Sequence, residues 1–231
     1  MFLVTGDTHG DFRACAAFCD RLHTTQEDML IILGDAGINY FEDYRDAMLK
    51  KILSSLPITF FCIHGNHEAR PECTGLYQQR EWHGGKVFVE TEYPNILFAK
   101  DAEIYELDGI SAIVIGGAYS VDKEYRLARG MNWWNNEQPD AQTQAAVERQ
   151  LANCGNKIDV VLSHTCPIRY EPKEVFIQGL DQRLIDKSTE EWLGEIEEQL
   201  TYKKWYCGHY HTDKRVDRLR FMFHDIDQLS G

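Results

Sequence analysis

Five apolar residues run into a glycine and a carboxylate in the stretch Met29-Leu30-Ile31-Ile32-Leu33-Gly34-Asp35. Because the run shows no polar alternation and is β-branched at its centre, it predicts a strand that is buried on both faces. The glycine permits a sharp turn, which leaves Asp35 at the carboxyl end of that strand. Ligands of open α/β sheets bind at the carboxyl ends of the strands. The stretch therefore predicts a parallel sheet with a functional edge.

Four other segments show the same pattern, which is an apolar run followed directly by polar residues. They are residues 2–9, 60–67, 160–164 and 205–211. Helical periodicity between the first three strands, at residues 12–22 and 43–53, predicts βαβ units and parallel pairing. Because the carboxyl ends of parallel strands lie at one edge of a sheet, we expect the polar residues of all five ends to meet.

The middle of the chain shows a different pattern. Short apolar runs at 96–98, 104–107 and 110–115 are joined by tight turns, which predicts antiparallel strands of a second sheet. Residues 116–139 and 168–186 lack regular periodicity and predict two long loops. No repeat, low-complexity tract or linker-like change of composition interrupts residues 1–231, so we expect a single domain.

Charge and cysteine content narrow the class of protein. The net charge of −13 argues against broad binding of nucleic acids or of anionic membranes. Seven cysteines without a C-x-x-C pair are typical of small buried residues in a reducing compartment. The sequence shows no signal-peptide pattern and no apolar run as long as a membrane span. These features predict a soluble, cytoplasmic protein.

The strand ends carry more carboxylate, imidazole and amide side chains than one metal ion needs. The candidates are Asp7, His9, Asp35, Asn66, His67, His164, His209 and His211. This donor set suits divalent ions, with manganese expected first and iron or zinc as alternatives. Two ions roughly 4 Å apart, sharing the Asp35 carboxylate, can bind the oxygens of a phosphate ester. A water between the ions loses a proton near neutral pH and becomes the nucleophile.

Five short motifs in a defined order connect these residues to a known family. They are Gly6-Asp7-Thr8-His9-Gly10, Gly34-Asp35, Gly65-Asn66-His67-Glu68, Ser163-His164 and Gly208-His209-Tyr210-His211. Together they resemble the motifs of the calcineurin-like metallophosphoesterases. The resemblance implies an α/β fold, a four-layer α/β/β/α sandwich with two mixed central sheets flanked by helices.

The resemblance also implies a role for each motif residue. One metal ion would be held by Asp7, His9, Asp35 and His211. The other would be held by Asp35, Asn66, His164 and His209. His67 would be a general acid that binds no metal and protonates the leaving group. These roles are implied by the family and are expectations for this chain.

Two positions depart from the protein-phosphatase branch of the family. That branch has an aspartate three residues after the bridging aspartate and then an arginine, whereas this chain has Ile38 and Asn39. In that branch the aspartate orients the catalytic histidine and the arginine binds the substrate phosphate. The stretch Asn66-His67-Glu68-Ala69-Arg70 nevertheless matches the branch. The sequence thus leaves open what orients His67, and it does not indicate a phosphoprotein substrate.

The motifs predict a phosphatase that hydrolyses phosphate monoesters or diesters by in-line attack of the metal-bridging hydroxide. A nucleotide or small-molecule phosphodiesterase is the alternative within the class. A non-catalytic interaction scaffold on the same fold is the alternative from another class, although such a protein would be expected to lose ligands or the acid.

Three arginines are candidate substrate contacts: Arg70, Arg126 and Arg129. Guanidinium suits phosphate, but Arg70 could equally be the partner of a structural ion pair. The neighbouring Trp133 and Trp134 could stack on a substrate ring or form a packed cluster under the loop. The sequence leaves both alternatives open.

Overall fold

Two mixed β-sheets lie face to face at the centre of the computed structural model, which describes residues 1–231. The first sheet has seven strands, in the spatial order β13 (Asp227–Gln228), β1 (Phe2–Thr5), β2 (Met29–Ile32), β3 (Thr59–Cys62), β6 (Ile96–Ala99), β5 (Gly85–Val89) and β4 (Gln78–Trp82). Strands β1, β2, β3 and β6 are parallel, and the remaining pairs are antiparallel.

The second sheet has six strands, in the spatial order β11 (Lys214–Val216), β12 (Leu219–Phe221), β10 (Lys204–Cys207), β9 (Val160–Ser163), β8 (Ile110–Ile115) and β7 (Ile104–Leu107). Strands β8, β9, β10 and β12 are parallel. Each sheet therefore contributes a row of parallel strands whose carboxyl ends lie at one edge.

Helices cover the outer face of each sheet. The helices are α1 (Arg13–Leu22), α2 (Tyr44–Ser54), α3 (Pro71–Thr74), α4 (Lys123–Arg129), α5 (Ala141–Asn153) and α6 (Ser188–Gln199). Buried residues of α1 and α2 pack on the first sheet, and those of α5 and α6 pack on the second. None of these helices combines the length and the apolar character needed to cross a membrane.

Strand β2 shows why the opening apolar run has no polar alternation. Ile31 points into the cluster between the two sheets, whereas Leu30 and Ile32 point into the cluster under the helices. All three side chains are fully buried, and each such burial stabilises the fold by about 1.5–3 kcal/mol. The prediction of a strand buried on both faces, and of the four-layer α/β/β/α sandwich, is confirmed.

The prediction for the middle of the chain is right in one part and wrong in another. Strands β7 and β8 form the predicted antiparallel hairpin in the second sheet. The run at 96–98, however, becomes β6 of the first sheet and pairs parallel with β3, Phe61 opposite Leu97. Residues between β3 and β6 form the hairpin of β4 and β5, and this long connection permits the parallel pairing. Helix α4 also interrupts the loop predicted at 116–139.

Candidate metal centre

The five polar strand ends meet where the carboxyl edges of the two sheets adjoin. Within the first sheet, the His9 N–H donates to the Asp35 carbonyl at 2.8 Å. Within the second sheet, the Gly208 N–H donates to the His164 carbonyl at 2.9 Å. The Gly117 N–H, just after β8, donates across to the carbonyl of His64, which follows β3. Backbone bonds thus fix the strand ends relative to one another.

Four of the candidate residues have left-handed backbone conformations that side chains other than glycine seldom adopt. They are His9 (φ 47°), Asp35 (φ 48°), His209 (φ 67°) and His211 (φ 48°). Each such residue costs of order 1 kcal/mol or more, and such strain is concentrated at functional sites. The backbone conformation is therefore unfavourable at the four positions whose side chains form the candidate metal centre.

Glycines leave space for two of the candidate side chains. Gly34 has φ of 96°, and a Cβ there would overlap Nδ1 of His164. A Cβ on Gly65 would likewise overlap Oδ1 of Asp35. Glycine is required at both positions because the strand ends approach one another so closely.

The first group of donors comprises Asp7, His9 and His211, whose ligand atoms all lie within 4.8 Å of one another. Nε2 of His9 is 2.9 Å from Nε2 of His211, which is 3.3 Å from Oδ2 of Asp7. That carboxylate oxygen is buried and has no hydrogen-bond partner. A buried, unpartnered oxygen beside two imidazole nitrogens fits a bound cation.

The second group comprises Asn66, His164 and His209. Oδ1 of Asn66 is 2.8 Å from Nε2 of His164 and 3.0 Å from Nδ1 of His209. Nδ1 of His164 donates to the Leu33 carbonyl at 2.7 Å, because a carbonyl can only accept. A neutral His164 with its proton on Nδ1 therefore presents a lone pair at Nε2 towards Oδ1 of Asn66. Because both atoms are then acceptors, their close approach requires a proton or a cation between them. Burial lowers the pKa of His209 well below its ordinary value.

Asp35 lies between the two groups. Its Oδ1 is 3.7 Å from Nε2 of His164, and its Oδ2 is 4.0 Å from Nε2 of His9. The His67 N–H also donates to Oδ1 at 2.8 Å. Although burial opposes ionisation, the neighbouring histidines, His164 foremost, lower the pKa of Asp35 below its ordinary range. The carboxylate has the charge and the position that a bridging ligand needs.

His67 is held by two residues that the sequence analysis did not connect with its orientation. Its Nδ1 is 4.0 Å from Oδ2 of Asp35 and accepts a bond from Nη2 of Arg126 at 2.6 Å. Its Nε2 is 3.5 Å from Oδ1 of Asp122, and Oδ2 of Asp122 accepts from Nε of Arg126 at 2.8 Å. Against the effect of burial, His67 and Arg126 lower the pKa of Asp122 to about 2. The imidazole is thus hydrogen-bonded through Nδ1 and lies beside the Asp122 carboxylate at Nε2.

The other two predicted arginines are engaged elsewhere. Nη1 of Arg70 pairs with Asp101 at 2.6 Å, and its Nε donates to a backbone carbonyl at 2.8 Å. Arg129 is exposed, with its guanidinium 5.3 Å from the centre of the Tyr125 ring. For Arg70 the geometry favours the structural ion pair over a phosphate clamp. Only Arg126 of the three contacts a predicted site residue.

A cavity of about 370 Å³ opens beside the donor groups and includes Asp35, His67 and His209 in its wall. Most of its other lining residues belong to the 168–187 segment, which the sequence analysis described only as a long loop. The indoles of Trp133 and Trp134 instead bond to Glu137 and Glu42 and lie outside the cavity wall. The geometry therefore favours the packed cluster for these aromatic residues.

Asp122 and Ser120 are the site neighbours that sequence reasoning missed. Ser120 accepts a bond from Nδ2 of Asn66 at 2.9 Å while Oδ1 of Asn66 faces the histidines. Both residues follow β8, a parallel strand that ends at the same edge as β9. Ligands of open α/β sheets bind at the carboxyl ends of the parallel strands, which we call the strand-end rule. Applied to β8, this rule is the signal that could have found both residues.

Comparisons with known proteins agree with this architecture. The crystal structure of TT1561 of Thermus thermophilus is 16% identical, with a TM-score of 0.52, over 96% of this chain and 87% of that one. A second crystal structure is 14% identical, with a TM-score of 0.49, over 96% of this chain and 88% of its own. Comparison with curated protein sequences gives no match. At this identity, the likeness to TT1561 shows the fold alone.

The sequence profile of the family described as calcineurin-like phosphoesterase matches residues 1–213. Members of that family are metal-dependent hydrolases of phosphate esters, and the donor groups at the strand ends fit metal ions. The chain belongs to the calcineurin-like phosphoesterase family.

Proposed function

We propose that this protein is a dinuclear metal-dependent phosphoesterase. One observation supports the proposal above the others: seven donor side chains from five strand ends converge in two groups that share Asp35. The first site would use Asp7, His9, Asp35 and His211. The second would use Asp35, Asn66, His164 and His209. Two divalent ions held there, manganese first and iron or zinc as alternatives, would bind the phosphate oxygens and activate a water for attack.

His67 is assigned the protonation of the leaving oxygen. Its Nδ1 faces the donor groups, 4.0 Å from Asp35, whereas its Nε2 faces Asp122. Oδ1 of Asp122 is buried and has no hydrogen-bond partner, so an Nε2–H of His67, 3.5 Å away, is placed to donate to it. An acid oriented by a third group in this way is the arrangement that general acid catalysis requires. Asp122 is therefore assigned as the positioning residue of His67.

Arg126 is assigned to the substrate phosphate. Its Nη2 donates to Nδ1 of His67, which requires that nitrogen to be unprotonated. When Nδ1 carries the proton for the leaving oxygen, it can no longer accept from Arg126. The guanidinium, still tied to Asp122 through Nε, is then available to a phosphate oxygen.

The test is metal content together with turnover. Elemental analysis of the purified protein should find divalent metal, and the manganese-loaded protein should hydrolyse an aryl phosphate. Asn66→Ala and His209→Ala should lose both metal and turnover, whereas His23→Asn, on the C-terminal cap of α1, should keep both. Full turnover in either site variant, or a protein that takes up no metal, would refute the assignment. A panel of a monoester, a bis-aryl diester and a cyclic nucleotide then separates phosphatase from phosphodiesterase.

A further inference from the structure

We propose that the cavity beside His67 binds the organic half of the substrate and selects an uncharged apolar group of about the size of one aromatic ring. The proposal rests on the phosphoesterase function proposed above and specifies its substrate class. It concerns the cavity wall formed by the 168–187 segment, which is separate from the metal-binding side chains.

The size and the position of the cavity fit the organic substituent of a phosphate ester. The cavity of about 370 Å³ is continuous with Asp35, His67 and His209, so a phosphate at the donor groups would place its ester substituent inside it. Small-molecule sites occupy about 300–1,000 Å³, and this cavity lies at the lower end of that range. It has room for one ring and a short linker beside the phosphate.

The 168–187 segment contributes four aliphatic side chains to the cavity wall. They are Val175, Ile177, Leu180 and Ile185, and Val121 lines the same cavity. Ile177 is 61% exposed and Val175 is 41% exposed, although both are large apolar side chains. Exposed apolar residues that gather around one cavity indicate that a ligand covers them.

An aromatic surface adjoins the donor groups. The rings of Phe176 and Tyr210 lie nearly parallel, at 17° and 6.2 Å between centroids, and both line the cavity. Tyr210 directly follows the candidate ligand His209. A flat substrate ring could pack on this surface while its phosphate stays at the metal centre.

The charges around the cavity disfavour a second anionic group. Besides Asp35 at the donor groups, four carboxyl side chains line it: Asp122, Glu171, Asp186 and Glu190. Lys187 is the one lysine or arginine in the lining, and its Nζ is already bonded to Glu171 at 2.8 Å. Glu171 already pairs with Lys187, and Asp122 already pairs with Arg126. A polyphosphate or a carboxylate-bearing substituent would therefore find no free lysine or arginine in this wall and would lie beside the Asp186 carboxylate.

Calorimetric binding of three phosphonates to the manganese-loaded protein tests the proposal. Benzylphosphonate should bind roughly tenfold more tightly than methylphosphonate, because the ring buries apolar surface. 4-Carboxybenzylphosphonate should lose most of that gain. Ile177→Ser should reduce the ratio of the benzylphosphonate affinity to the methylphosphonate affinity. Leu184→Ser should leave this ratio unchanged, because Leu184 is exposed in the same segment but lies outside the cavity wall.

Steady-state kinetics separate the two proposals. Benzyl and ethyl phosphate have alcohols of similar acidity, so a lower KM for the benzyl ester reports the cavity rather than the leaving group. Equal binding of benzyl- and methylphosphonate, with both esters hydrolysed, would overturn the cavity proposal and leave the phosphoesterase function intact. Hydrolysis of neither ester, together with no turnover of the aryl monoester, the bis-aryl diester or the cyclic nucleotide, would refute both.

Discussion

Replacing Asp122 by asparagine tests whether this residue positions His67 for proton donation. The amide keeps the shape of the carboxylate and an oxygen for the Arg126 bond, but it removes the negative charge 3.5 Å from Nε2 of His67. We therefore expect Asp122→Asn to lower kcat for esters whose leaving oxygen needs a proton. KM and bound metal should change little, because Asp122 is not among the metal-donor groups.

The size of the effect follows from distance and exposure. Opposite charges 3.5 Å apart interact by about 4–5 kcal/mol at an effective dielectric constant of about 20. The Asp122 side chain is 36% exposed, so solvent screens much of this interaction and leaves about 1–2 kcal/mol. Since each 1.4 kcal/mol of barrier is a factor of about ten in rate, kcat should fall roughly tenfold.

The assay compares two esters in four proteins. An alkyl phosphate has a poor leaving group that depends on protonation, whereas 4-nitrophenyl phosphate has a good leaving group that does not. The roughly tenfold loss should appear with the alkyl ester and nearly vanish with the nitrophenyl ester. Wild type, Asp122→Asn, His67→Ala and the double variant complete the cycle. Glu124→Gln, in the first turn of α4, is the matched control.

Two results would refute this reasoning. An equal loss with both esters would mean that Asp122→Asn disturbs the site generally rather than the proton donor. A further loss when Asp122→Asn is added to His67→Ala would mean that Asp122 acts independently of the imidazole. In either case Arg126 or another residue would have to be the group that orients His67.

Three further changes test the surrounding structure. Burial raises the pKa of Glu190 to about 7 in the folded protein, so the folded state binds this proton more tightly and stability should fall as pH rises from about 4.5 to 7. In urea unfolding, Glu190→Gln should abolish a decline of about 2–3 kcal/mol over that range. Lys50→Ala should cost about 3 kcal/mol in the same assay, because it leaves the half-buried Glu90 without its partner and opens space beside it. Lys50→Met also removes the charge but fills that space, so it should cost less. Gly34→Ala should reduce bound metal by elemental analysis, because its Cβ displaces His164.

The apolar runs predicted most of the fold, because a strand that is buried on both faces has no alternation of polar and apolar residues in its sequence. Strand β2 and the parallel strands beside it were predictable for this reason. Strand β6 was assigned to the wrong sheet because its residues are buried throughout, as they would be in either sheet. Which neighbour a short buried strand joins depends on tertiary packing, and no local pattern records that choice.

The candidate metal donors were predictable because each follows an apolar strand within a few residues. The strand-end rule converts such local patterns into a shared location, and the structure brings these side chains together. The same rule applied to β8 would place Asp122 at this edge, but it does not indicate that Asp122 contacts His67. Their 55-residue separation carries no periodicity, and Asp122 lies in a segment without a motif.

The buried position of Ile38 fits the proposal that the carboxylate orienting His67 comes from a distant segment. Ile38 is fully buried in the apolar cluster beneath the helices, so a carboxylate with that side-chain orientation would be buried without a partner. Asp122 approaches His67 instead from the segment after β8, which also supplies Arg126 and, through Val121, a wall of the cavity. One segment thus contacts the proposed proton donor, supplies the proposed phosphate ligand and lines the proposed ring site. A substituent that displaces Val121 should therefore also move Asp122, which links the fit of the organic group to kcat as well as to KM.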